Sequence, residues 1–108
     1  MAENETETPV LDLLATMTAA SLETTNLEPD TAMLVRIAAL VAVDAPPASY
    51  LMNLGAAGEL GIGEDEVRGV LTAVAPIVGT TKVVSASGNI VRALGMALEM
   101  AELEDEDA

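Results

Sequence analysis

The chain has 108 residues, 51 % of them hydrophobic, a single aromatic (Tyr50), and a net charge of −14 from 18 acids set against Arg36, Arg68, Lys82 and Arg92. A field of that sign repels phosphate, which argues against nucleic acid and anionic membrane as partners. With no cysteine and no histidine, disulfides, thiolate nucleophiles, zinc–thiolate sites and the commonest general base are all excluded.

The length predicts one domain with one core, built from small and aliphatic side chains. So short a chain leaves much of its surface uncovered, and its high apolar content therefore predicts a homo-oligomer. The opening MAENETETP lacks the basic and apolar regions of a signal peptide. The longest apolar run, Ala32 to Val43, is interrupted by Arg36 and falls short of the ~20 residues of a membrane span. A soluble cytoplasmic protein is the expectation.

In chain order, residues 1–7 hold three glutamates and no apolar pattern, which predicts a disordered acidic tail. Thr8-Pro9 reads as an N-cap with proline at the first helical position. Val10, Leu13, Leu14 and Met17 then follow at helical spacing, giving an amphipathic first helix to about Leu22. Pro29 opens a second helix. Met33, Leu34, Val35, Ile37, Leu40, Val41 and Val43 leave Arg36 as the one charge in its body, the mark of a helix buried on nearly every side.

Asp44-Ala45-Pro46-Pro47 makes a tight corner, because proline disfavours helix in the residue before it. The third helix runs from about Pro47 to Leu60 with Leu51 and Leu54 inward, and Gly61 is placed as its left-handed cap. Gly55 and Gly58 would let another helix approach closely. Gly63-Glu64-Asp65-Glu66 opens the fourth helix, its acids matched to the positive end of the dipole. The stripe Val67, Val70, Leu71, Val74, Ile77 and Val78 is expected inward, and Pro76 is expected to kink or end this helix. The last helix covers roughly Thr81 to Leu103, with Gly88 and Gly95 on one face. Residues 104–108 read as a second acidic tail, solvated by charge. The architecture expected is all-α, a single-domain antiparallel bundle of about five helices spanning residues 8–103.

The order LEPDTAMLVRIAALVAV, a proline-containing corner, a helix ending ELG, then IGEDEVRGVL resembles the carboxymuconolactone decarboxylase family, which shares its fold with the alkyl hydroperoxidase D-like proteins. The resemblance covers about Leu27 to Val78. It implies a small all-helical protein assembled as a trimer or hexamer. The family's redox members carry a Cys-x-x-Cys-x-x-x-His segment at the start of the third of these helices. Transferred by position, the histidine falls on Asn53 and the cysteines on Ser49 and Pro46. The acid of the preceding helix falls on Met33 or Leu34. None of these residues matches, so thiol-based peroxide reduction is excluded, and a decarboxylase-type activity on a small acidic or carbonyl compound would need other groups.

No catalytic residue is assigned from the sequence, and neither a cofactor nor a metal is implied. Arg36, on an otherwise apolar helix, must reach solvent, pair with an acid such as Asp44 or Glu59, or hold an anion. Ser49, Tyr50 and Asn53 share a face of the third helix. With Arg36 they form the candidate ligand pocket, against the plainer account of a capping serine, a packed tyrosine and a hydrogen-bonded asparagine. Asp44 is expected to cap the third helix, with a catalytic carboxylate as the alternative. The acidic tails lack the spaced ligands of a calcium loop. Three functions follow: a non-catalytic helical oligomer acting as a structural or interaction protein, a small-molecule-binding module, or an enzyme using Arg36 as anion anchor. A pocket around Arg36, Tyr50 and Asn53 would favour the last two, and a solid core there the first.

Overall fold

Three prolines start three helices. Pro9, Pro29 and Pro47 each occupy the first helical position, where the missing N–H has no partner to lose. The computed structural model describes the backbone of residues 7–107 and the side chains of residues 7–103. Among them lie five helices and no strand: α1 (Pro9–Thr24), α2 (Pro29–Ala42), α3 (Pro47–Glu59), α4 (Glu64–Val78) and α5 (Thr80–Asp107). The N-terminal acidic tail falls almost wholly outside the described residues. At the other end the helix expected to stop near Leu103 continues through Asp107.

The core is formed by α2 to α5. Val41, Ala45 and Tyr50 pack with Ala86, Ile90 and Ala93, while Met33, Ile37 and Ala57 form a second cluster. Leu54 and Val67 touch both clusters and join them into one core. The alanines on α3 and α5 keep the helices close, and the single aromatic ring fills the space between them.

Four expectations need correction. The apolar stripe of α1 (Val10, Leu13, Leu14, Met17) is exposed along its whole length, and α1 buries no residue. The second helix is not buried all round, since Val35 and Ala39 face solvent. In α4, Ile77 is 86 % exposed, while Val67, Val70, Leu71, Val74 and Val78 turn inward. Helix α4 also runs through Pro76 to Val78. Pro76 has no N–H for the carbonyl of Thr72, but Thr72 is exposed and water can satisfy it. Two further residues complete the helix, and Gly79, at φ 89°, ends it.

The C-terminal ends of α2 and α3 are closed by the same hydrogen-bond pattern. After α3, Gly61 takes φ 80°, with its N–H donating to the Gly58 carbonyl at 3.1 Å and that of Ile62 to the Ala57 carbonyl at 3.0 Å. After α2, Asp44 takes φ 55°, with its N–H donating to the Val41 carbonyl at 3.2 Å and that of Ala45 to the Leu40 carbonyl at 3.0 Å. Each is the paired closure of a left-handed helix end. Gly61 was legible as such a cap. Asp44 was not: it ends α2, and the residue preceding α3 is Pro46, which offers no side-chain cap.

Candidate functional site

The α2–α3 corner holds the densest set of long-range polar contacts among the described residues, and α5 supplies their other half. Lys82, Ser85 and Asn89 are spaced three and four apart, so one face of α5 presents all of them. Lys82 Nζ donates to the Ala42 carbonyl at 2.8 Å, Ser85 Oγ to Asp44 Oδ1 at 2.5 Å, and Asn89 Nδ2 to the Ala45 carbonyl at 3.2 Å. The corner exposes carbonyls that no helix can use, and α5 satisfies them. Sequence reasoning passed over these three residues. Their spacing opposite a proline corner was the available signal.

Tyr50 lies beneath this corner at 0 % exposure, enclosed by α2, α3 and α5. Its hydroxyl is buried with no hydrogen-bond partner among the described residues. Burial pushes the phenol above its ordinary value of 10.0, and the charge of nearby Asp44 pushes the same way. Such a group is a poor proton donor and no phenolate nucleophile at neutral pH. Asn53, half-buried, turns back along its own helix and donates to the Ser49 carbonyl at 2.8 Å.

Arg36 reaches the other way. Its Nη2 donates to the Thr18 carbonyl of α1 at 3.5 Å, a long bond that tethers α1 to α2. Contacts thus carry Arg36 toward α1, while Tyr50 is enclosed at the α2–α3–α5 junction. None of Arg36, Ser49, Tyr50 and Asn53 lines any of three apolar surface grooves. Of the positions that the family resemblance would give to redox chemistry, Pro46 is exposed, Ser49 and Leu34 are half-buried, and Met33 is buried.

The grooves themselves are apolar. One of about 340 Å³ lies where the α1–α2 connection meets the end of α3, lined by Leu22, Leu27, Met33 and Leu60 among others. Two more, of about 360 and 130 Å³, share Leu54 and Leu94 between α3 and α5. Glu64, on the rim of the larger, is already paired with Arg68. No group of three metal-ligating side chains comes together among the described residues. No helix among them is long and apolar enough to cross a membrane.

Among the described residues the polar corner satisfies its own backbone, and the three grooves are lined mainly by apolar side chains. Comparison adds no assignment, for no protein-family model, curated protein or solved structure matches the chain.

Proposed function

We propose that this chain is a non-catalytic helical module that works by association, a homo-oligomer serving a structural or interaction role in the cytoplasm. The carboxymuconolactone decarboxylase-like pattern of residues 27–78 supports an alkyl hydroperoxidase D-like arrangement and a trimer or hexamer. The solid packing around Tyr50 supports a structural use of the position where the resemblance would put a pocket.

One observation carries the reading. Helix α1 is apolar, long and exposed, with six large hydrophobic side chains in solvent over 16 residues. An isolated helix of that length is marginal in water, and helices of this kind are held by packing an apolar face. Sedimentation velocity of the full chain at micromolar concentration tests the proposal. A species several times the 11.0 kDa protomer is the expected result, and a stable monomer overturns it.

A further inference from the structure

The association proposed above leaves open which surfaces meet. Two uncharged stripes on this molecule repeat with the same period. On α1, Val10, Leu13, Met17, Ala20 and Thr24 fall at alternating intervals of three and four, and every one is exposed. On α5, Val84, Ser87, Val91, Leu94, Leu98 and Ala101 do the same, again all exposed. A three-four alternation sums to seven residues over two turns, the period at which two helices stay in register along a shared seam.

Neither stripe belongs to the core clusters of the protomer, although Leu94 borders the grooves between α3 and α5. The core face of α5 is a different one, carrying Ala86, Ile90 and Ala93. At 28 residues α5 is also about twice as long as any helix it packs on, an excess of roughly 20 Å at 1.5 Å per residue.

Gly88 and Gly95 border the α5 stripe. A side-chain carbon built at Gly95 would meet nothing within 4 Å, and one at Gly88 would make only an ordinary 3.6 Å contact with Arg92. Each glycine weakens a helix by about 1 kcal/mol relative to alanine, and nothing within the protomer requires either. A second backbone lying close along this face would.

We infer that α1 of one copy packs along the Val84–Val91–Leu98 face of α5 of a second copy, so that this pair of stripes is the homo-oligomeric interface. The inference rests on the association reading and adds its location.

Area supports a second copy as the occupant. Seven large apolar side chains on the two stripes stand exposed, each by about half to two-thirds. At on the order of 60–120 Å² for each fully buried aliphatic side chain, they offer roughly 400 Å². That is close to the apolar share, a little over half, of the ~800 Å² per partner of a stable interface. Charge points the same way. The chain carries −14, yet no acid lies in either stripe, so two copies can mate without burying a charge. A basic partner would find no carboxylates on these faces to pair with. The distant acids repel and salt screens them, so association through the stripes must tighten as salt is raised.

The experiment compares the full chain with Leu13→Glu/Met17→Glu in α1, Val91→Glu/Leu98→Glu in α5, and a control, Met52→Glu, at a 71 % exposed position on α3. Glutamate is a good helix former, and far-UV circular dichroism checks that each variant folds. Either double variant is expected to weaken self-association by at least ~100-fold, since it would bury unpaired charge in the seam. The control should match the parent.

Because the chain has no cysteine, Met17→Cys and Val91→Cys provide a second measurement that needs no loss of stability. Oxidation of the mixed single variants should give a covalent heterodimer. A monomeric parent would overturn both the reading and the inference. An oligomer that survives either double variant would leave the reading intact and sink this interface. Cross-linking of Met17→Cys only to itself would replace it with an α1–α1 contact. Association that weakens with salt would point to a charged surface instead.

Discussion

Two apolar regions of this molecule have opposite fates. Around Tyr50 and Ile37, four helices converge and side chains of ordinary hydrophobicity are fully buried. Along α1, side chains at least as apolar remain in water, joined to the body by a short connection and the Arg36–Thr18 bond. Hydrophobicity alone does not separate the two. What separates them is whether α3 and α5 supply an opposing surface within the same chain, and for α1 they do not.

Truncation tests that contrast most strongly. Ile37→Ala removes a fully buried side chain, and in urea unfolding it should cost about 2–5 kcal/mol, from lost burial and the cavity left behind. At protein concentrations below association, Leu13→Ala should shift the same midpoint by no more than ~0.5 kcal/mol. A gap between Leu13→Ala and the parent that opens as protein concentration rises would locate the cost in assembly, by mass action. A large effect of Leu13→Ala on the dilute chain would erase the distinction between the regions.

The two left-handed corners sharpen it within the body. Gly61 and Asp44 make equivalent hydrogen bonds at φ 80° and 55°. Gly61→Ala should lose about 1–2 kcal/mol, because a side chain in the left-handed region crowds the following carbonyl. Asp44→Gly should come out near neutral, since relief of the same strain is offset by loss of the Ser85 contact. If Asp44→Gly proved as damaging as Gly61→Ala, the Ser85 bond would have to outweigh the backbone term.

A smaller effect is expected of Tyr50→Phe. The hydroxyl is buried without a partner among the described residues, so its removal should be neutral or stabilise by up to ~1 kcal/mol. The pH dependence has a definite sign. Below about pH 10 the phenol is protonated in both the folded and unfolded chain and its contribution is constant. Above the ordinary value of 10.0 the unfolded chain ionises while burial, aided by Asp44, keeps the folded one neutral. The unfolded state then binds fewer protons, and stability falls as pH rises through the raised folded value. Tyr50→Phe should flatten that alkaline decline. An unchanged decline would assign it to other groups.

Much of the local structure is determined by residues acting on their own neighbours. Pro9, Pro29 and Pro47 pre-set φ for helix starts, and Gly61 ends α3 because a left-handed residue without a side chain is cheap wherever it occurs. Length and the alanines of α2 favour helix over strand there, and the absence of cysteine and histidine excludes thiol and imidazole chemistry in any fold. At the candidate site the plainer account, a packed tyrosine and a hydrogen-bonded asparagine, matches Tyr50 and Asn53, whereas the turn of Arg36 toward Thr18 of α1 was not legible.

Only the tertiary structure decided what depends on a distant partner. Asp44 ends α2 rather than starting α3, in part because Ser85, 41 residues on, meets its carboxylate. Pro76 is tolerated because the carbonyl it leaves without a donor belongs to Thr72, an exposed residue that water can reach. Ile77 and the stripe of α1 stay exposed although their periodicity matches that of buried residues. Period reports that a helix has an apolar face. Whether that face is covered depends on where the other helices end up, which is a property of the packed chain and not of any window along it.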